Sequence, residues 1–163
     1  MTTPILMLML MTLPWAVARA WNRHRARSPW DLSAAAAVGT SLLFVFTASG
    51  HFLQADAMVQ MLPSWVPARD ALVLWTGALE LAIAAGLAWP RTRRMAAWSA
   101  VAVLVLFFPA NIHAALVHAP MGGHAWGPVY LLVRAPLQLA IAAWILRGVL
   151  KVPVSQRWIR RPA

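Results

Sequence analysis

The stretch 129–143, VYLLVRAPLQLAIAA, decides the fold of this chain. It is apolar enough to span a membrane, yet it contains an arginine, a proline and a glutamine at Arg134, Pro136 and Gln138. A charged side chain at the centre of a spanning helix costs about 2.5–3.5 kcal/mol on insertion scales. The stretch therefore predicts a transmembrane helix with one polar face. This face should point to the interior of a helical bundle, where polar groups of other helices offset that cost.

The rest of the chain repeats this apolar character. A bilayer core about 30 Å thick needs about 20 apolar residues per helix. Four runs are close to this length, at 30–49, 71–89, 95–117 and 128–146, the last interrupted by Arg134. Because 61% of the 163 residues are hydrophobic and only 11% are charged, the sequence predicts a single all-α transmembrane bundle with four core helices.

The first 20 residues form a further apolar segment that ends in arginines. No basic residue precedes the segment, which argues against a signal peptide. We expect an extra spanning helix with its N-terminus outside. The predicted organisation is thus a hydrophobic helix with a basic cytoplasmic linker over 1–29, the four-helix domain over 30–150, and a basic cytoplasmic tail over 151–163.

The net charge of +10 is distributed unevenly along the chain. Of the 14 lysines and arginines, all but Arg69 and Arg134 fall before the first core run, between the second and third, or after the last. Basic loops stay on the cytoplasmic side during insertion. We therefore predict a multi-pass protein of the bacterial cytoplasmic membrane with its C-terminus in the cytoplasm. The basic residues are explained by topology, and the chain lacks the soluble basic surface that nucleic-acid binding requires.

Four polar residues within the runs fall at similar depths. At about 1.5 Å per residue, Arg134 and Asn111 lie about 9 Å from the outer ends of their helices and Glu80 about 13 Å, with Gln138 one turn deeper than Arg134. We predict a direct ion pair between Arg134 and Glu80. Asn111 and Gln138 would form hydrogen bonds with the donors and acceptors that this ion pair does not satisfy. The alternative is an ion pair that only fixes helix register.

Two further side chains complete the predicted pocket. Tyr130 shares a helix face with Arg134 and Gln138 at four-residue spacing, and His51 ends the first core run at the mouth of the cluster. The loop at 52–62 predicts a short helix on the outer face, which would cover the pocket. The predicted ligand-binding residues are His51, Glu80, Asn111, Tyr130, Arg134 and Gln138.

The sequence gives no sign of a catalytic or metal site. His113 and His118 are five residues apart, about 140° around a helix, so they cannot bind one ion from a regular helix face. No nucleophile with an adjacent base and no phosphate-binding loop is present, and the question of enzymatic activity stays open. The chain has no cysteine, which excludes disulfide and iron–sulfur chemistry of its own.

Four motifs together resemble the DoxX-like group of small membrane proteins, over about residues 31–150. They are FTASGHFLQADAMVQMLPSWVP at 46–67, TGALELAIAAGLAWPRTRR at 76–94, FFPANIHAAL at 107–116 and YLLVRAPLQ at 130–138. The resemblance implies a four-helix membrane bundle. It also implies a mixed set of functions, which includes subunits of thiosulfate:quinone oxidoreductase, proteins associated with redox complexes, and NACHO-type receptor assembly chaperones. The family pattern falls on Gly50, His51, Phe52, Pro63, Pro67, Gly77, Glu80, Pro109, Asn111, Arg134, Pro136 and Gln138.

Three functions remain open from the sequence. The first is a redox-associated accessory subunit whose pocket binds a quinone-like molecule, with the lipid bilayer and a membrane oxidoreductase as partners. The second is an assembly factor or chaperone that packs against another membrane protein, and self-association is compatible with either. The third is a small transporter, although the sequence lacks the inverted repeats typical of that class.

Overall fold

The computed structural model describes residues 2–24 and 30–151, which form helices joined by short turns and loops, without β-strands. We number six α-helices in chain order, and a 3₁₀ segment and a π turn flank the last of them. The helices are α1 (Thr2–His24), α2 (Leu32–Leu53), α3 (Ala55–Val59), α4 (Arg69–Ala88), α5 (Arg93–Leu116) and α6 (Leu131–Trp144), with the 3₁₀ segment at His124–Tyr130 and the π turn at Ile145–Val149.

The predicted fold class is confirmed. Within the described residues, five segments are long and apolar enough to cross a membrane: α1, α2, α4, α5, and the continuous stretch from the 3₁₀ segment through the π turn. The four core runs and the extra N-terminal helix are all present. Exposed aliphatic side chains such as Leu106 and Leu139, each 71% accessible, lie on the outside of the bundle, as expected for helices that face lipid.

Local sequence explains where α2 begins and where α4 ends. Asp31 caps α2 by accepting a hydrogen bond from the Ser33 backbone N–H at 2.9 Å, the usual way to satisfy a free donor at a helix start. At the other end of the bundle, α4 stops just before Pro90, since the residue preceding a proline is biased away from helical geometry. Thr92 then closes the turn by donating to the Gly86 carbonyl at 2.9 Å.

Close contacts between the long helices establish an antiparallel arrangement. Gly39 of α2 packs on the backbone of Met11, Gly77 of α4 packs on His51, and Gly86 packs on Ala96 of α5. The C-terminus of α1, the α4–α5 turn and the π turn therefore share one end of the bundle, which we call the basic end because it carries Arg23, Arg91, Arg93, Arg94 and Arg147. We call the other end, which holds α3 and the 3₁₀ segment, the cavity end.

The last span is longer and less regular than the run 128–146 suggests. It begins with the 3₁₀ segment, in which Gly127 has a non-helical backbone (φ 71°, ψ −154°), and it ends in the π turn. A side chain at Gly127 would also collide with the His118 ring, because its Cβ would lie 2.5 Å from Nε2 of that ring. Glycine is required here because positive φ and close packing coincide. The short helix expected within 52–62 is confirmed as α3.

Candidate functional site

A cavity of about 490 Å³ lies among α1, α2, α4, α5 and α6 at the cavity end. Its size falls within the range of about 300–1,000 Å³ that is typical of small-molecule sites. Most of the wall is apolar, and Leu43, Phe44, Val103, Phe107, Leu137 and Ile141 contribute to it. The polar groups of the lining include five of the six predicted site residues, namely His51, Glu80, Asn111, Arg134 and Gln138.

His51 is held by α4 rather than lying at an open mouth. It is 7% exposed, and its Nδ1 lies 2.8 Å from the Val73 carbonyl oxygen and 3.1 Å from the Thr76 hydroxyl. A carbonyl oxygen can only accept, so Nδ1 carries the proton and donates it to Val73. The opposite ring nitrogen, Nε2, then faces Glu80.

The oppositely charged neighbour of Glu80 is His51, whose Nε2 lies 3.8 Å from Oε1 and forms an ion pair with it when the ring is protonated. The direct pair predicted between Glu80 and Arg134 is wrong: the ion pairs within residues 2–24 and 30–151 are this one and Asp31–Lys151. Depth along a helix gives the level of a side chain but not its direction around the axis, and α4 turns Glu80 toward α2. Arg134 still acts on Glu80 through space, and the Thr47 hydroxyl lies close to the carboxyl group.

The second oxygen of Glu80 is the most unusual atom of the site. The Glu80 side chain is 8% exposed, and Oε2 has no hydrogen-bond partner among the described residues. A buried acceptor without a donor costs about 1–3 kcal/mol, and more when it is charged. Glu80 as a whole residue also lines the cavity, together with Arg134.

Arg134 forms a hydrogen bond with Asn111, in agreement with the predicted cluster of polar side chains. Its Nε–H donates to Asn111 Oδ1 at 3.2 Å, while Asn111 Nδ2 donates back along α5 to the Phe107 carbonyl at 3.0 Å. The Tyr130 hydroxyl interacts with the guanidinium. A guanidinium has five N–H donors, which Asn111 and Tyr130 together cannot satisfy. Arg134 therefore keeps donors for a molecule in the cavity.

Gln138 has a structural bond that sequence reasoning did not foresee. Its Nε2 donates to the Leu104 carbonyl at 2.7 Å, in the turn of α5 that precedes Pro109. A proline within a helix weakens the hydrogen-bond ladder of the preceding turn. Gln138 ties α6 to that turn with one of its two amide N–H donors.

Tyr130 is not part of the cavity wall. It is 4% exposed and packs edge-on against His124, with 5.0 Å between ring centroids. Its place in the site is behind Arg134 and His124, where it supports both. The sequence correctly put Tyr130 on the face of Arg134, but a 3₁₀ segment rotates residues differently from an α-helix.

His124 is the site residue that the sequence missed. It is 2% exposed, lines the cavity, and its Nδ1 lies 2.8 Å from the Met121 carbonyl oxygen. Its Nε2 is buried and, like Glu80 Oε2, has no partner in the described chain. A signal in the sequence was the adjacent pair Gly122 and Gly123 just before His124, which adopt positive φ values of 62° and 98°.

The lid over the cavity comes from α3 and the loops on either side of it. Met58, Met61 and Leu62 line the cavity from above, and His113 of α5 ties this segment down through its Nδ1, 3.0 Å from the Met61 carbonyl oxygen. Methionine side chains are flexible and adapt to irregular partners. Across residues 2–24 and 30–151, no three histidine, aspartate or glutamate side chains gather as a metal ion requires.

The fold and the cavity define a class, a transmembrane helical bundle with a mostly apolar pocket that a few polar side chains also line. Comparison with family models gives the particular family. The model described as "Domain of unknown function (DUF8561)" matches residues 40–148, more than half of the chain, and the protein belongs to that family. The match runs from the third turn of α2 into the π turn and leaves α1 outside. Searches of curated proteins and of solved structures return no match.

Proposed function

We propose that this protein binds a small amphipathic molecule of the quinone type in its cavity and serves a membrane redox system as an accessory subunit. The observation that carries the proposal is the juxtaposition of Glu80 and Arg134 on one apolar cavity. Glu80 has a buried oxygen without a partner in the described chain, and Arg134 has more donors than its neighbours accept. Ionisable groups within spanning helices are costly and mark functional sites by default.

The shape of the lining supports a ligand with an apolar body and a polar head. The Leu and Phe side chains of the wall would bury a ring and a short tail, which is the main source of affinity in such pockets. Arg134 would donate to an oxygen of the head. Asn111 and Gln138 also position the helices, because each donates one amide N–H to a carbonyl of α5.

The proposal is tested with the purified full-length protein. We expect an organic extract of the protein to contain a quinone by mass spectrometry, and a short-chain benzoquinone or benzohydroquinone to quench its tryptophan fluorescence saturably. Arg134→Gln should weaken binding about 10-fold or more, since a charge-assisted hydrogen bond contributes about 1.5–3 kcal/mol. Arg94→Gln, an exposed arginine at the basic end, is the matched control. Absence of both a bound compound and saturable quenching in the wild type would refute the proposal.

The redox partner and the DoxX-like affiliation belong to the same proposal. The four motifs support them, since the DoxX-like group includes subunits of redox complexes. A membrane oxidoreductase should co-purify, and its activity should fall in Arg134→Gln. If a partner co-purifies but its abundance, rather than its turnover, depends on Arg134, the assembly-factor hypothesis replaces this one.

We also propose that the basic end faces the cytoplasm of a bacterium and that the cavity end lies in the outer half of the cytoplasmic membrane. The distribution of arginines supports this orientation. It would place the ligand's head near the outer surface, where a partner on that side could reach it.

A further inference from the structure

We infer that the cavity opens sideways into the bilayer through a window between α4 and α5, and that its ligand is a lipid-soluble molecule whose tail stays in the membrane. The inference rests on the proposed function and adds the class of the ligand and its route of entry. It starts from the exposure of the cavity wall. Among the described residues that line the cavity, four are exposed, namely Gln54, Leu72, Leu106 and Gly122.

The four exposed residues fall into two groups. Gln54 lies between α2 and α3, and Gly122 lies in the loop after α5, so both belong to the connections at the cavity end. Leu72 and Leu106 belong instead to the spanning helices α4 and α5, where they are 41% and 71% exposed. Side chains that are exposed on spanning helices face lipid, so these two leucines connect the cavity wall with the bilayer.

The register of α4 and α5 places the two leucines at one gap. The helices pack closely at the basic end, where a Cβ on Gly86 would lie 2.8 Å from Ala96 Cβ. Because the helices are antiparallel, residues at equal distances along the chain from this contact lie at the same level. Toward the cavity end this register gives two pairs: Thr76 with Leu106, each 10 residues from the contact, and Leu72 with Ala110, each 14 residues from it.

The two helices are apart at these pairs. If they stayed in contact, Thr76 and Leu106 would cover each other, as happens at the close contact, where Ala96 is 8% exposed. Leu106 is instead 71% exposed, and all four residues of the two pairs line the cavity. A side chain that both lines the cavity and is open to the outside of the bundle marks a gap. We call this gap the α4–α5 window.

The α4–α5 window has an apolar rim. Its four residues carry no charge, and the Thr76 hydroxyl donates within α4, to the Leu72 carbonyl at 2.8 Å. On the side of the cavity end, the segment after α3 spans the gap: it continues into α4, and His113 of α5 is hydrogen-bonded to its Met61 carbonyl at 3.0 Å. Such an opening admits an apolar chain, whereas a strongly polar molecule would lose its water there without new partners.

The polar side chains of the α5–α6 wall lie away from the window. Asn111 follows Leu106 by five residues, which places it about 140° further around α5. There its Oδ1 accepts the hydrogen bond from Arg134 of α6. A ligand that enters through the window therefore crosses apolar surface and brings its polar head to Arg134, while a tail attached to that head points back to the lipid.

Blocking the window in the folded protein tests the route. The chain has no cysteine, so Leu106→Cys carries a single thiol at the rim. A bulky methanethiosulfonate reagent can be attached to it and later removed with a reductant, which is washed out before measurement. The probe is a fully substituted decylbenzoquinone, followed by tryptophan quenching in proteoliposomes. We expect the attached group to slow association about 10-fold or more, because association falls when a site must rearrange before entry.

Each labelled protein is compared with itself before labelling and after release, so the folding of the variant does not affect the result. Leu139→Cys is the matched control, since Leu139 of α6 is also 71% exposed but does not line the cavity. A label there should leave the association rate unchanged. Equal effects of the two labels, or no effect of the label on Leu106→Cys, would overturn the window.

The position of the tail is tested with a probe that is too bulky to be enclosed. A quinone with the same head, whose decyl chain ends in a triphenylmethyl group, should bind wild-type protein from the bilayer within about 3-fold of the plain decyl probe. The reason is that lipid is as apolar as the side chains of a helix, so a tail that stays in lipid gains little on binding. Failure of the bulky probe to bind would show that the whole ligand is enclosed, against the inference.

The outcomes separate this inference from the proposed function. If the plain decyl probe quenches the wild type saturably but the label on Leu106→Cys has no effect, the binding function stands, and the ligand enters beside Gln54 and Gly122 instead. If the plain probe does not bind the wild type, the binding function itself fails, and the inference fails with it.

Discussion

At the scale of single residues, Gly77 determines the position of His51. A Cβ on Gly77 would lie 2.5 Å from His51 Cβ and 3.1 Å from Phe52 Cε2. Neither atom is the free end of a flexible chain, so α2 would have to move away from α4. The absence of a side chain at this position is what brings the His51 ring to Glu80.

We therefore expect Gly77→Ala to destabilise the protein and to weaken ligand binding together. Overpacking a tight contact costs about 1–3 kcal/mol, which corresponds to a fall of about 2–12 °C in Tm for a chain of this size. Gly148→Ala is the control, because its Cβ would lie at an ordinary 3.4 Å from Ala36 Cβ. Thermal unfolding in detergent measures both variants, and an unchanged Tm for Gly77→Ala would contradict the packing argument.

The site was partly predictable from sequence at this scale. The rise of a helix fixes depth, so the sequence predicts similar depths for Arg134, Glu80 and Asn111, and all three line one cavity. The direction of each side chain depends on how the helices are rotated, which no single helix encodes. This is why Glu80 was paired with Arg134 instead of His51.

At the scale of helices, α1 forms a wall of the cavity although it lies outside the family match. Thr3 and Met7 contribute to the lining, and Trp15 packs edge-on against Trp144 at 5.6 Å between ring centroids. The contact that seats α1 is Gly39, where a Cβ would collide with the Met11 carbonyl group. Backbone cannot yield as a side chain does, so only glycine permits this approach.

Gly39→Ala should accordingly separate α1 from α2 and open the cavity on that side. The chain has no cysteine, so a cysteine introduced at Met7, which is 5% exposed, is a unique probe. We expect the reaction of Met7→Cys with a maleimide to be at least about 10-fold faster when Gly39→Ala is also present, because each 1.4 kcal/mol lost from packing is a factor of ten in opening.

A cysteine at Leu13 serves as the control for that experiment. Leu13 is 57% exposed, so its reaction should be equally fast with glycine or alanine at position 39. If Met7→Cys also reacts at the same rate in both backgrounds, α1 is not held by this contact.

The π turn depends on a bond from the other end of the sequence. The Ser33 hydroxyl donates to the Val149 carbonyl at 3.0 Å, and Ser33 is buried. Ser33→Ala should lower the free energy of unfolding by about 1 kcal/mol, or about 2–4 °C in Tm. Thr12→Val is the matched control, since the Thr12 hydroxyl bonds within α1, to the Leu8 carbonyl, and its loss should cost less than half as much.

Helix boundaries followed from sequence where the cause was local. Apolar run length located all the spanning helices, and the ends of α2 and α4 at Asp31 and Pro90 have local causes in the structure. The last span departed from prediction at both ends, because its irregularities depend on distant partners. Gly127 packs on His118, and the π turn bonds to Ser33.

At the scale of the whole molecule, the two ends of the bundle differ in charge. The basic end carries the arginines of the α4–α5 turn and of the π turn. Both ends present tryptophans that are more than 60% exposed, Trp89 at the basic end and Trp65, Trp75 and Trp126 at the cavity end. Exposed tryptophans are typical of the membrane interface, and clustered arginines are typical of the cytoplasmic side. Together they predict one orientation for the entire chain.

The absence of native cysteines makes that orientation directly measurable. Ser64→Cys probes the cavity end and Pro90→Cys the basic end, and both positions are exposed. In intact bacterial cells whose outer membrane has been made permeable, a maleimide that cannot cross the cytoplasmic membrane should label Ser64→Cys and spare Pro90→Cys. Lysis should then make Pro90→Cys equally reactive, because the bilayer is the only barrier between reagent and thiol. The reverse pattern would mean that the arginines face outward, and it would place the ligand's head in the cytoplasmic half of the membrane.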